Sequence, residues 1–330
     1  MRILIVGAAG MIGRKLAERL VRDGRLGGRI SHAALVDLVE PQSPPEADFG
    51  VRATVADLAD PSTAQGLIAD HPDLVFHLAA VVSGEAEADF DKGYRVNVDG
   101  TRNLLEAVRS AGSGYRPRLV FSSSIAVFGP PFPETIGDDH LAAPLTSYGT
   151  QKAIAELLVS DYTRRGFVDG ISIRLPTICV RPGKPNKAAS GFFSSIIREP
   201  LNGREAVLPV PEDVRHWFAS PRAAVGFLVH AATLDGDALG DRRALTMPGV
   251  SATVGEMIES VRRVAGSGAV ELIRRVPDDA TTRMVASWPR RFETRRAWEL
   301  GFEAEADFDE IVRAHVEDEL GGTGAVAASA

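Results

Sequence analysis

"RILIVGAAGMIG", residues 2–13, carries a short β-branched apolar run straight into Gly7, Gly10 and Gly13 and on into a segment with Met11, Ile12, Leu16 and Leu20 at helical spacing. That order predicts strand, tight turn, helix. Glycine at the three points permits the turn, close approach of backbone to a pyrophosphate, and close packing of helix on strand. The N-terminus of the helix then faces the anion. The spacing is G-x-x-G-x-x-G rather than the commoner G-x-G-x-x-G, so its surroundings have to carry the reading. Asp37 supplies them: it ends the next strand-like run, "AALVDL", 24 residues beyond Gly13. A carboxylate there accepts bonds from a ribose diol and repels a 2′-phosphate, which selects NAD over NADP. Asp57 and Leu58 follow the third run, "VRATV", where they can reach the adenine, and Asp57 reads equally as a turn or capping carboxylate.

The alternation continues through "DLVFHLA", "RLVFSS" and "GISIRL", each separated from the next by helical stretches such as "NVDGTRNLLEAVRSA", where Leu104, Leu105 and Val108 share a face. Fully apolar strands of this length suit a parallel sheet covered on both sides, and βα alternation implies right-handed crossovers. The expected fold is α/β: a doubly wound parallel-sheet Rossmann domain over residues 1–175, then a smaller C-terminal α/β substrate lobe over residues 176–330. "RLPTICVRPGKPNKAASG" marks the change with Pro and Gly punctuation, and the later "RALTMPG", "TVGEMIESVRRVAG" and "DFDEIVRAHVEDEL" suggest elements that partly return to the first sheet.

Composition removes several classes of function. The 330 residues are 45% hydrophobic and 25% charged, as in globular proteins generally, with a formal net charge of −7 and no Lys/Arg cluster fit to bind nucleic acid. One cysteine, Cys179, cannot form an intrachain disulfide or a Cys/His metal cluster, so no metal is expected, and its apolar setting marks a core position. No membrane partner is expected, because no apolar stretch approaches about 18 residues. The N-terminus lacks the pattern of a signal peptide, which points to the cytoplasm.

The residues that carry chemistry come in the second quarter. "FSSSIAVFG" places Ser122, Ser123 and Ser124 at a strand end, and "SYGTQK" places Tyr148 and Lys152 four positions apart on one helix face. An isolated pair of this kind is an ordinary surface feature; the strand end and Gly loop upstream make it a candidate for acid/base work. Taken in order, "GAAGMIG", "HLAA", "NVDGT", "FSSSIAVFG" and "YGTQK" resemble the extended short-chain dehydrogenase/reductase family, over roughly the first 175 residues. The resemblance implies an NAD-dependent proton relay: Tyr148 exchanges the alcohol proton, Lys152 lowers its pKa and holds the ribose, and Ser124, with Ser123 in reserve, donates to the substrate oxygen. A nearby ammonium does favour a phenolate electrostatically. The resemblance also puts Ala79 of "HLAA" and Asn97 of "NVDGT" near the cofactor, although Asn97 reads as well as a helix cap. His77 is expected to be structural, since Tyr148 fills the proton-transfer role. Family members often dimerise through the two helices that begin in "NVDGT" and "SYGTQK", so a homodimer is expected.

Two departures bear on the substrate. Phe128 stands where many relatives carry tyrosine, and "IRLPTICVRPGKPNKAASGFF" replaces the aromatic and Asn pattern of the sugar-nucleotide members. Arg181, Lys184 and Lys187 fall close together in that loop, suited to a carboxylate, though such a cluster can also be a solvated basic loop. "RLPTICVRPGKPNKAASGFFSSIIREPL" resembles the D-erythronate dehydrogenase group of the family, which oxidises the C2 hydroxyl of a four-carbon sugar acid. A small anionic polyhydroxy acid needs hydroxyl partners as well, for which Ser83, Thr177 and Asn186 are candidates. His216 and Trp217 are expected near the second lobe's side of the pocket, Trp217 equally in the core. Two other readings remain open: a nucleotide-sugar epimerase or dehydratase that retains NAD, and a non-catalytic dinucleotide-binding regulator.

Overall fold

The computed structural model describes residues 1–112, 114–183 and 190–322, and the expected Lys184, Asn186 and Lys187 lie outside them. Six of its strands are the apolar runs of the N-terminal half: β1 (Arg2–Val6), β2 (His32–Asp37), β3 (Gly50–Val55), β4 (Leu74–His77), β5 (Arg118–Ser124) and β6 (Asp169–Leu175). Shorter strands follow: β7 (Thr177–Ile178), β8 (Ala206–Leu208), β9 (Arg215–Ala219), β10 (Ala244–Thr246), β11 (Val250–Thr253) and β12 (Ile273–Arg275). The first six and β10 form one parallel sheet in the order β10-β6-β5-β4-β1-β2-β3. β10 joins from far along the chain, so the C-terminal half completes the first sheet. A second sheet, β11-β9-β7, and a two-stranded β12-β8 pair support the other half.

Helices cover both faces. In chain order they are α1 (Met11–Asp23), α2 (Pro61–Ile68), α3 (Ser83–Ala88), α4 (Phe90–Tyr94), α5 (Gly100–Ser110), α6 (Ser147–Arg164), α7 (Gly191–Leu201), α8 (Pro221–Thr233), α9 (Val254–Ala265), α10 (Ser267–Glu271), α11 (Asp279–Ala286), α12 (Arg295–Glu299) and α13 (Phe308–Glu319). Side-chain alternation along β1 explains why its sequence after Arg2 has no polar position: Ile3 and Ile5 enter the core beneath α1 and α8, while Leu4 and Val6 enter the one beneath α2, α5 and α6. A third apolar cluster, around Phe193, Phe218, Met257, Ile258, Ile311 and Val312, holds α7, α9 and α13 together. Cys179 is fully buried in it, and burial pushes its thiol up to about 12, as suits a packing residue.

The strand order reverses at β1, which pairs with β2 on one side and β4 on the other. Ligands of open parallel sheets sit beyond the carboxyl ends of the strands at such a point. Two glycines create the opening. Gly7 has φ of +92°, and a Cβ there would lie 2.5 Å from the amide nitrogen of Ala79. A Cβ on Gly13 would lie 2.2 Å from the carbonyl oxygen of Gly7, inside any van der Waals contact. Gly13→Ala is therefore expected to cost about 1–3 kcal/mol by overpacking. In thermal unfolding this should appear as a clear fall of the midpoint, whereas Gly28→Ala, with open space around it, should change stability by no more than about 0.5 kcal/mol.

Candidate active site

Gly10 precedes α1 as its cap residue and offers no side-chain bond, so the first amides of the helix are left to a ligand. A Cβ on Gly10 would meet the Gly7 carbonyl oxygen at 3.4 Å, an ordinary contact, and Gly10 itself lines the cavity. Gly7, Gly10, Met11, Ile12, Gly13 and Arg14 line one end of a cavity of about 590 Å³. Asp37 stands just behind this loop at the end of β2, accepting from the amides of Ala9 at 2.9 Å and Leu38 at 2.7 Å. Its oxygens keep free lone pairs for further donors.

The three serines at the end of β5 separate by strand geometry. All three line the cavity, but the hydroxyl protons of two are committed: Ser122 donates to the His77 carbonyl at 3.2 Å, and Ser123 donates to the Glu156 carboxylate at 2.5 Å. Ser124 lines the cavity, accepts from the Ala126 amide at 3.1 Å and shares a hydrogen bond with the Tyr148 hydroxyl. Tyr148 opens α6, whose cap Thr146 accepts from the Gly149 amide at 3.1 Å. One turn on, Lys152 is 2% exposed; it donates to the Ser122 carbonyl at 2.7 Å and its ammonium lies 4.6 Å from the Phe121 ring centroid. Ser124, Tyr148 and Lys152 thus meet at the mouth of β5, as the motif order led one to expect.

Their electrostatics differ from the expectation. Burial lowers the Lys152 pKa to about 7, against the opposing pull of Glu156. Burial also raises Tyr148, and it prevails over the hydrogen bond with Ser124 and the charge of Arg181. Tyr148 is thus held as a protonated phenol; Arg181 is a cation that favours its ionisation, and the Lys152 ammonium lies 5.8 Å from the centroid of its ring. A buried lysine that spends part of its time neutral at pH 7 is a weak electrostatic partner.

Several expected residues are occupied elsewhere. Asn97, 3% exposed, neither caps a helix nor lines the cavity: it sits in a π-helical turn over Arg95–Asp99 and braces the loop after β4. Its side chain accepts from the Val81 amide at 2.8 Å and donates to the Val81 carbonyl at 3.0 Å and to Gln151 at 2.7 Å. Asp57 is paired with Arg95 at 2.6 Å, and burial of its carboxyl is outweighed by that bond, the Ala59 amide and the Arg95 charge, which hold it below the usual range. Leu58 is buried and Ala79 packs against Gly7; neither lines the cavity. His77 is buried, 2.8 Å from the Thr101 hydroxyl, and held near pKa 3 by burial and the charge of Lys152, so it stays neutral. Trp217 is core, packed with Ile125, Val127, Phe128 and Phe292, and its indole donates to the Met247 carbonyl at 3.3 Å.

The far end of the same cavity is lined by Ser83, Thr177, Arg181, Ser190, Ser194, Arg198, His216 and Trp288. The Arg181 amide donates to Ser194 at 3.0 Å, its guanidinium donates to Ser190 at 3.3 Å, and its carbonyl accepts from Arg198 at 2.8 Å. Burial lowers the Arg181 pKa, yet guanidinium remains charged at any ordinary pH. Arg14, Ser190, Ser194, Arg198 and Trp288 were not singled out from the sequence. Arg14 had a detectable signal in its position directly after Gly13; Ser190, Ser194 and Arg198 lie within the quoted stretch 174–201 without having been singled out there, and Trp288, after α11, has no motif around it.

The NAD-dependent epimerase/dehydratase family matches residues 3–226. The chain belongs to that family. Over 323 residues it is 48% identical to the D-erythronate dehydrogenase of Cupriavidus necator, covering 96% of this chain and 98% of that one. The D-erythronate dehydrogenase of Haemophilus influenzae is 42% identical over 320 residues, covering 97% and 100%. Among solved structures, one described as a nucleoside-diphosphate-sugar epimerase from Agrobacterium tumefaciens superposes with a TM-score of 0.96 at 61% identity, covering 98% and 96%. L-threonine 3-dehydrogenase from Trypanosoma brucei gives 0.82 at 26%, covering 96% of each chain. The chain is an NAD-dependent oxidoreductase acting on a small molecule. The uncapped α1, the cavity-lining Gly10 and the Asp37 carboxylate behind them fit a dinucleotide's pyrophosphate and ribose. Among the described residues no helix is long and apolar enough to cross a membrane.

The depressed pKa of Lys152 has a consequence for stability. The unfolded chain binds this proton up to pH 10.5, the folded chain only up to about 7. Between those values the unfolded state holds more protons, so this group's contribution to stability is full above pH 10.5 and is lost as pH falls to about 7. Lys152→Met, similar in size and apolar, is expected to melt higher than the parent at pH 7, with the gain shrinking as pH rises toward 10. Thermal unfolding of the two proteins across pH 7 to 10 measures it; a pH-independent difference contradicts the assignment.

Proposed function

We propose that the enzyme oxidises the secondary alcohol of a small anionic polyhydroxy acid, with D-erythronate at its C2 hydroxyl as the first candidate, giving the 2-keto acid. The observation that carries this reading is the single cavity that joins the α1 N-terminus, Ser124 and Tyr148 to the cationic end at Arg181 and Arg198. Near-full-length similarity to two D-erythronate dehydrogenases supports it. Residues 1–175 would hold NAD and residues 176–330 most of the substrate.

In this reading the bound nicotinamide supplies the hydride acceptor. Tyr148 takes the alcohol proton and passes it to solvent; Ser124 orients the reacting oxygen; Lys152 holds the end of β5 and the cofactor ribose; Arg181 takes the carboxylate. The balance is hydroxy acid plus NAD⁺ to keto acid plus NADH plus a proton. Tyr148 begins protonated, so loss of its proton has to be driven by charge in the loaded site and by the nearby Arg181. We also propose a cytoplasmic homodimer joined through α5 and α6, with support from the exposed Phe90 and Leu157 on α4 and α6. Light scattering on the eluting protein tests the dimer, and a clean monomer removes it.

A nucleotide-sugar epimerase that retains NAD is favoured by the description of the Agrobacterium structure. Net NADH separates the two. Purified protein given NAD and a panel of C4 to C6 sugar acids should raise NADH absorbance selectively with D-erythronate. Tyr148→Phe should lose about 10²–10⁴ in kcat/KM while still binding NAD. Silence with every acid, together with conversion of a UDP- or GDP-sugar without net NADH, overturns the dehydrogenase reading.

A further inference from the structure

We infer that Thr177 presents a pure hydrogen-bond acceptor to the substrate and so selects an acid with a hydroxyl at the position beside it, an inference that rests on the functional reading above. The chain of hydrogen bonds starts at Pro289, in the segment after α11. Its carbonyl oxygen lies 2.8 Å from Nδ1 of His216 on β9. A carbonyl has no proton to give, so Nδ1 carries the hydrogen. His216 is 3% exposed, and burial drives its pKa down to about 4 against the pull of that carbonyl, so the ring is neutral. A neutral imidazole protonated on Nδ1 has a bare lone pair on Nε2.

That lone pair lies 2.7 Å from the Thr177 hydroxyl oxygen on β7. The hydroxyl has one hydrogen, and it goes to His216. Among the described residues no other hydrogen bond to this hydroxyl is formed, so lone pairs are what it has left for a ligand. Thr177, His216, Trp288 and Pro289 all line the cavity, as does Arg181, four positions beyond Thr177. The substrate end therefore has two opposite polarities within a few residues: a guanidinium that only donates and a hydroxyl that can only accept. A carboxylate answers the first. The second needs a donor, and the hydroxyl of a polyhydroxy acid is one; an ether, ketone or second carboxylate oxygen there would face lone pairs and leave a buried acceptor unpaired. The polarity of Thr177 is set two links away, by the carbonyl of Pro289 acting through His216.

The test compares the parent enzyme, Thr177→Val and Thr177→Ser on D-erythronate and on the two acids that lack its C3 or its C4 hydroxyl. The parent should prefer D-erythronate to one of the deoxy acids by about tenfold, the scale of one hydrogen bond. Thr177→Val should lose about that factor on D-erythronate, chiefly in KM, and nothing on the deoxy acid concerned; Thr177→Ser should restore the preference. NAD binding by each variant checks that it is folded. An equal loss on all three acids, or none on any, overturns the inference. So does nitrogen-15 NMR showing the His216 proton on Nε2. If the parent oxidises none of the acids, it is the functional reading that falls, and the NMR tautomer still decides which way the Thr177 hydroxyl points.

Discussion

The burial of Lys152 is the constraint around which the site is built. Placing an ammonium at 2% exposure costs several kcal/mol unless its surroundings compensate. Here they do so by tying three elements together: Lys152 donates to the last turn of β5, Glu156 one turn further along α6 accepts from Ser123 on the same strand, and Arg174 on β6 closes on Glu156 at 2.8 Å. These bonds fix how far α6 stands from the carboxyl ends of β5 and β6. That distance in turn fixes Tyr148 against Ser124. The lysine remains under-compensated, which is why its pKa falls to about 7. A ligand that offers it oxygen acceptors relieves the strain, so affinity for a hydroxylated cofactor and tension in the empty site are one quantity seen from two sides.

Two steric facts place the other half of the site. The Gly7 carbonyl and the Ala79 backbone approach so closely that only hydrogen fits at positions 7 and 13. This brings α1 down onto β1 beside the point where strand order reverses, and the helix amides open toward the space that Ser124 and Tyr148 border. Asp37 then completes the loop from behind by accepting the Ala9 amide, so the carboxylate holds the loop in shape even before any ribose is present. The residue proposed to hold the ribose thus already has a structural role.

Sequence alone made this half legible because its signals are local. A strand, a glycine turn and a helix are adjacent in the chain, and Tyr148 and Lys152 are one helical turn apart; nothing beyond backbone geometry is needed to bring them together. Fully apolar strands likewise announced a covered parallel sheet. The substrate end was legible only in part. Arg181 stood out through its Pro/Gly loop, but Ser190 precedes α7, Ser194 and Arg198 lie on it, His216 comes from β9 and Trp288 from beyond α11, and only the packing of Phe193 and Phe218 makes them neighbours. Asn97 and Asp57 show the converse failure. Their residue types permitted a cofactor role, and unpatterned partners, Val81, Gln151 and Arg95, claimed them first.

The same distinction governs charge. A tyrosine four residues from a lysine reads as an activated phenol because Coulomb attraction is the term a sequence displays; desolvation is not visible until burial is known. In the folded chain desolvation acts on both partners, raising the pKa of the phenol and bringing that of the amine down to about 7. Arg181, a permanent cation lining the same cavity, also acts on Tyr148. A substrate carboxylate that engages Arg181 would weaken that help to the phenolate, so the ionisation that chemistry needs has to be recovered at Lys152. In the proposed reaction Arg181 would thus serve both acid binding and proton removal, and Lys152, with its pKa near 7, is the cation left to make up what the carboxylate takes.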